Sequence, residues 1–367
     1  MNASPSVAVV GGGFAGLEAA FTLREILGEQ LRLTLITDSP YFLTRPNNIY
    51  VPFGRDPRLY VGLASPATRR GIDLRRSPLA ALDTDANRID LADRESVRYD
   101  YAVLATGAAM RPDEVPGLAE HPHTIWTPDK AKALGTALQR VAEYAHAGME
   151  QRVLLLVPPG NLCSAPLYDF ALLLEEWLRS ELVRDQVQIE LTTFEDRYLE
   201  SFGPDLHGAA RAEFAARGIT AATGTAVNAV HPDHVVYADG STRPFDLLVT
   251  FPPHVAAVAY PGLSASDRGF LKTDPATSRV MGTENVFAPG DAGDFPVKLA
   301  YLALRQADAA ADEIAWRIDP TAKGDRRRLD FEVGASPLWN PGRMSVRVYM
   351  PRLFAAGRPS QTGIGGL

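Results

Sequence analysis

Three groups of residues in this chain have the types and spacing that chemistry needs. The first is Gly11-Gly12-Gly13-Phe14-Ala15-Gly16, which fits G-x-G-x-x-G between a valine-rich apolar run and a helical pattern. Gly11 permits a tight turn, Gly13 lets the backbone approach a pyrophosphate, and Gly16 lets a helix pack close to the strand before it. The helix start, with Phe14 and Ala15, then faces the phosphates with the positive end of its dipole. Asp38, closing the next apolar run, is placed to accept bonds from an adenosine ribose. The second group is Ala105-Thr106-Gly107, closing a buried strand, and Gly290-Asp291, following the short apolar run Val286-Phe287-Ala288. A carboxylate at Asp291 can bond a ribityl chain, which favours FAD over NAD as the nucleotide. The third is a pair of reactive side chains. Cys163 lies just ahead of an expected helix, where the dipole favours thiolate, the nucleophilic form. Lys298 lies near the start of the last long helix, expected from Pro296 to Arg317, where a cation would stabilise an anionic reduced ring.

The elements that must position these residues alternate strand and helix. Ser6–Val10, a helix from about Ala15 to Leu27, and Leu31–Ile36 make a βαβ beginning. Leu79–Tyr101 alternates apolar and polar residues as a β-meander, and Tyr101–Leu104 is a buried strand. Helices are expected at Thr127–Ala147 and Asp205–Arg217, and a hairpin within Val227–Tyr237. The strand, loop and helix of Val7–Leu27 return, altered, at Val153–Leu178. The fold expected is therefore α/β, with two Rossmann-like domains. Residues 1–112 plus 265–325 form the nucleotide domain, 113–264 the second domain, and 326–367 a C-terminal capping segment.

In this order and spacing the motifs resemble those of the two-dinucleotide-binding-domain flavoproteins, the pyridine nucleotide-disulfide oxidoreductase-like superfamily. Within it the chain most resembles the sulfide:quinone oxidoreductase and flavocytochrome c sulfide dehydrogenase branch. The resemblance runs from about Val7 to Ile318 and includes Tyr41-Phe42-Leu43-Thr44-Arg45-Pro46 and Phe295-Pro296-Val297-Lys298. It implies one extended FAD, with adenine near Asp38 and Leu79 and the isoalloxazine near Arg45, Pro46 and Lys298. Leu43 and Thr44 stand where flavocytochrome c relatives carry a linking cysteine, so the FAD is expected to be non-covalent. Relatives place a proline pair in the loop above the flavin. Here that loop is Phe251-Pro252-Pro253-His254, which makes His254 a candidate proton donor to a reduced quinone.

The second glycine-type loop departs from a nucleotide cradle. Pro158 falls where Gly11 stands and lacks an N–H, while Cys163 falls on Gly16. Sulfide-oxidising relatives carry a cysteine before a small-Ala-Pro-Tyr-acid run, matched approximately by Cys163-Ser164-Ala165-Pro166-Leu167-Tyr168-Asp169 with aspartate for the usual glutamate. Those relatives use two or three cysteines; this chain has one. Glu195 is a candidate contact for a nicotinamide ribose.

The expected function is an FAD-dependent oxidoreductase passing electron pairs from a sulfur donor to a quinone or similar acceptor. An NAD(P)H-dependent flavoprotein reductase is the alternative, and a flavin-binding sensor or partner subunit without turnover is a third. A formal net charge of −7 argues against nucleic-acid binding. The seven histidines show no metal spacing, so no metal is expected. The longest apolar stretch, 245–263, holds Pro252, Pro253 and Pro261, which exclude a spanning helix. A cytoplasmic location is expected, with contact with the inner face of the membrane and a homodimer both left open.

Overall fold

The computed structural model describes residues 4–322. Its six described α-helices are α1 (Phe14–Leu27), α2 (Ala64–Arg69), α3 (Pro128–His146), α4 (Ala165–Ser180), α5 (Pro204–Ala216) and α6 (Ala300–Ile318). They cover two parallel sheets. The first takes its strands in the order Val286–Phe287, Tyr101–Leu104, Ser6–Val10, Arg32–Thr37, Asp73–Arg76. The second runs Thr220–Ala222, Val187–Thr193, Gln151–Val157, Leu247–Thr250. Valine-rich Ser6–Val10 and leucine-rich Gln151–Val157 lie inside their sheets, buried along almost their whole length, as strands covered on both faces must be. Each sheet also carries a three-stranded antiparallel meander, 79–98 on the first and 227–244 on the second. The internal echo of the sequence therefore extends beyond the glycine loops. The α/β class with parallel Rossmann-type sheets is as expected.

Helices α1 and α6 pack on each other through small residues. Ala19 and Ala20 meet Ala307, Ala310 and Ala311 in one buried cluster, and the alanines let the helix backbones come close. Helix α6 begins at Ala300, four residues later than Pro296. The backbone N–H of Lys298 donates instead to Leu162 O at 2.8 Å, holding the segment before α6 extended against the cysteine loop.

The proline- and asparagine-rich stretch Tyr41–Asp56 contains an ordered 3₁₀ run, Arg45–Phe53. It emerges beside the first sheet and packs on α3 and α4 of the second. Ile49 is buried in that second core, and Phe53 meets Phe170 at 5.2 Å between ring centroids. Gly135 of α3 makes this approach possible, since a Cβ there would lie 3.0 Å from Pro52 O. Gly135→Val is expected to lower stability by about 1–3 kcal/mol through overpacking. Urea denaturation checks this, and an unchanged midpoint would show that the 3₁₀ run yields freely.

The chain crosses between sheets twice, at Ala108–Met110 and His254–Ala256, which pair antiparallel. The capping segment at 326–367, the strand expected at Ser345–Met350 and the Arg326-Arg327-Arg328 turn lie outside the described residues.

Candidate active site

The first glycine loop is built by backbone contact. Gly11 has φ +115°, and a Cβ on it would lie 2.2 Å from Ala105 O. A Cβ on Gly16 would lie 1.9 Å from Gly11 O. Gly13 differs, because a Cβ there would meet nothing within 4 Å. Its bare backbone opens on a cavity of about 820 Å³. Gly13 caps α1 with no side-chain acceptor, and the first turn holds no acid. Donors at the positive end of a helix dipole thus face the cavity uncapped, the arrangement a pyrophosphate fits.

The cavity joins most of the expected positions. Gly11, Phe14, Ala15, Asp38, Leu79, Ala105, Thr106 and Gly107 line it, as do Arg45, Pro46, Asp291, Lys298, Cys163 and His254. Gly16 and Gly290 do not; they pack behind it. Gly290, with φ +76°, lies against Ala15 and donates its N–H to Gln306 Oε1 at 2.7 Å, so that Asp291 turns into the cavity. Burial raises the Asp291 carboxyl, while Lys298 and Arg45 pull it back down.

Lys298 is 3% exposed. Its Nζ donates to Gly293 O and lies 4.0 Å from the Phe270 ring centroid. Burial lowers its pKa to about 8 against the attraction of Asp291 and Asp294. Because Lys298 precedes α6 by two residues, it works as a buried charge and not as part of a helix N-terminus. Arg45 is held by Trp126, with its guanidinium 3.9 Å from the ring centroid and Nη1 donating to Trp126 O at 3.3 Å. Trp126 had no motif to announce it. Its only local signal is its place just before Thr127, the side-chain cap of α3.

Two expectations about charge are corrected. His254 is 1% exposed, and its pKa falls to about 3, first through burial and then through Lys298, Arg268 and Arg45. At neutral pH it is an uncharged imidazole. Its Nδ1 accepts from the Leu162 N–H at 3.2 Å, so the proton sits on Nε2, which has no partner in the protein. It is a hydrogen-bond donor rather than an imidazolium acid. Cys163 precedes α4 by two residues and opens on the cavity. Its thiol is pushed far up by desolvation and then by the negative charges of Asp291 and Asp169. Tertiary burial outweighs the helix dipole, and the resting group is a thiol. Alkylation of Cys163 is therefore expected to be slow at pH 7 and to rise about tenfold per pH unit through pH 9. Asp169→Asn, which removes one of the two charges, should speed it. A rate that levels off below pH 8 would contradict this.

The second loop is occupied by its own chain. A Cβ on Gly160 would meet Pro253 Cβ at 3.1 Å and Arg268 Cζ at 3.2 Å. Arg268 is anchored by both carboxylate oxygens of Glu114, each at 3.0 Å. Asn161 turns the loop by accepting from the Cys163 N–H at 2.8 Å and donating to Phe251 O at 2.9 Å. Glu195 is buried and accepts from Ser164 Oγ at 3.0 Å, Tyr168 OH at 3.0 Å and Thr193 Oγ1 at 2.8 Å. Three hydroxyls of the chain thus take the bonds a ribose would need. Among the described residues, no group of three or more His, Cys, Asp or Glu could hold a metal ion.

Residues 5–157 match the family described as pyridine nucleotide-disulphide oxidoreductase. The chain is 30% identical over 281 residues to sulfide-quinone reductase of Aquifex aeolicus, covering 75% of this chain and 63% of that one. Rhodocoxin reductase of Rhodococcus erythropolis is 32% identical over 149 residues, 36% of this chain and 32% of that one. This chain thus spans less than two thirds of either relative. The solved structure of the Aquifex aeolicus sulfide:quinone oxidoreductase superposes with TM-score 0.76 at 25% identity, over 86% of this chain and 77% of that one. A ferredoxin reductase from Rhodopseudomonas palustris superposes with TM-score 0.65 at 21% identity, over 89% and 78%, and shares the fold.

Proposed function

We propose that the chain is an FAD-dependent oxidoreductase of the pyridine nucleotide-disulphide oxidoreductase family, which takes electron pairs from a sulfur donor and passes them to a quinone-like acceptor; the family match over residues 5–157 supports this. One observation carries the reading. A single cysteine and an uncapped glycine cradle open on the same cavity, while the loop a nicotinamide nucleotide would need is covered by Pro253 and Arg268. The likeness to sulfide-quinone reductase supports the donor and acceptor classes. The domain division set out from the sequence goes with this proposal, as does non-covalent FAD.

In this reading Gly11, Gly13 and the first turn of α1 hold the pyrophosphate, Asp38 and Leu79 the adenosine end, and Asp291 the ribityl chain. The flavin, when bound, supplies a two-electron acceptor. The protein supplies the rest. Lys298 and Arg45 bring positive charge to the cavity, which favours negative charge developing there. Neutral His254 offers an Nε2–H donor that persists across the whole neutral range. Cys163 supplies the sulfur nucleophile. Partners are small molecules, and nucleic acid is not among them. Among the described residues no helix is long and apolar enough to cross a membrane. A cytoplasmic location, membrane-peripheral contact and a homodimer belong to the proposal.

The test is anaerobic mixing of purified protein with sulfide, a small thiol, NADH and NADPH while flavin absorbance is followed. Acid precipitation should leave one FAD per chain in a yellow supernatant. Sulfur donors should bleach the flavin, and the nicotinamides should do so slowly or not at all. Rapid saturable bleaching by NADH or NADPH would make the chain a nucleotide-dependent reductase. Protein that takes up no FAD would end the reading.

A further inference from the structure

Arg45 and Asp291 both line the cavity, and each feels the charge of the other. Asp291 is the one carboxylate whose charge acts on Arg45 among the described residues. The two nevertheless form no ion pair. The guanidinium carbon lies 3.9 Å from the Trp126 ring centroid instead, and Nη1 donates to Trp126 O at 3.3 Å. The difference matters for the field in the cavity. A carboxylate attracts a cation and cancels its charge, whereas an indole attracts it through a quadrupole and leaves the net charge in place.

Trp126 is itself fixed from several sides. Buried Asn48 donates Nδ2 to Ile125 O at 3.1 Å and to Trp126 O at 3.2 Å. The rings of buried Phe251 and His254 meet the indole edge-on, with centroids 6.2 and 5.8 Å away. Thr127, the next residue, caps α3 by accepting from the Lys130 N–H. The indole is a fixed platform, and Arg45 is the member of the pair with rotamers to change.

We propose that Trp126 is a positioning residue: its ring withholds Arg45 from Asp291, so that the guanidinium charge stays uncompensated in the cavity and raises the two-electron reduction potential of the flavin bound there. This rests on the FAD reading above and names what tunes the cofactor's site. The charge of Arg45 already acts on two cavity residues, since it lowers both Asp291 and His254. A positive charge near the ring favours its reduced, more negative form. Without the indole, a desolvated guanidinium gains most from a carboxylate, and Asp291 is the one in reach. That pairing would cancel the charge and engage the carboxylate assigned to the ribityl chain.

The test is the midpoint potential of bound FAD, measured anaerobically at pH 7 against a reference dye. Trp126→Leu and Trp126→Met both remove the aromatic face, and either one that folds serves. Each is expected to lower the reduced-to-oxidised ratio at a fixed potential about tenfold, a fall of about 30 mV for the two-electron couple. Trp126→Phe, which keeps a ring, should stay close to the parent. Arg45→Gln should lower the potential by itself, and adding Trp126→Leu or Trp126→Met to it should lower it no further. Urea unfolding of the same variants without FAD should show losses at 45 and 126 that are less than additive. An unchanged potential without the indole, an equal fall with and without Arg45, or additive losses in the FAD-free protein overturns the inference; bleaching of the parent by a sulfur donor then leaves the oxidoreductase reading standing. The expected fall in a protein that no sulfur donor bleaches keeps the inference and removes the donor class. Protein that takes up no FAD overturns both.

Discussion

Replacing Cys163 with serine is expected to abolish flavin reduction by sulfide or thiols, by at least about 10³-fold, while FAD stays bound. Serine is close to cysteine in size. The contacts that shape the loop run through the Cys163 N–H, Asn161, Leu162 and Ser164, none of which uses the sulfur. The fold and cavity should therefore survive. No second cysteine exists to substitute. Stopped-flow absorbance measures the loss, and the visible spectrum of the resting variant reports retained FAD. A variant reduced as fast as the parent would make Cys163 a structural residue. A parent reduced by no sulfur donor would remove the substrate class instead.

Gly16→Ala should have the largest effect on cofactor content. The added methyl would lie 1.9 Å from Gly11 O and 3.4 Å from the Ala105 methyl. The close contact is with backbone, which cannot swing aside. Either α1 lifts off the strand or the loop opens, and both spread the donors that face the phosphates. FAD affinity should fall at least about tenfold, with a lower thermal midpoint even without FAD. Gly13→Ala separates the two effects. Its methyl meets no protein atom within 4 Å, so FAD-free stability should hold while binding weakens, because the methyl occupies the phosphate's approach. Flavin-to-protein absorbance ratios and thermal melts distinguish them. If Gly16→Ala binds FAD like the parent, the glycine loop is not the cradle.

The parts legible in the sequence were those set by local geometry. Gly11 and Gly16 are required because neighbouring backbone leaves no room, and the meander at 79–98 announces itself by alternation, whereas the one at 227–244 reads in the sequence only as a hairpin. What escaped was set by distant segments. Helix α6 starts late because Lys298 gives its N–H to Leu162, which no local propensity encodes. The proline pair marked the position of His254, but its neutrality comes from burial and from Lys298, Arg268 and Arg45, gathered from three other stretches. The thiolate expected at Cys163 followed from a helix start alone; desolvation and two carboxylates reverse it. Trp126 carries Arg45 without belonging to any pattern. Asp169 stands in the sequence only as a variation on a run, yet burial lifts its carboxyl to about 7 within the cavity.

The 3₁₀ run Arg45–Phe53 bears on how this architecture can be recombined. Cut by sequence at about residue 112, the chain looks like a cassette of two interchangeable nucleotide-fold modules. The cut would carry Ile49 and Phe53 away from the core they complete and separate Arg45 from the indole it stacks on. A transplanted second module would arrive with an apolar hole and without the arginine its Trp126 holds. The transferable part is the second module together with this short run from the first, so a chimera has to move both or neither.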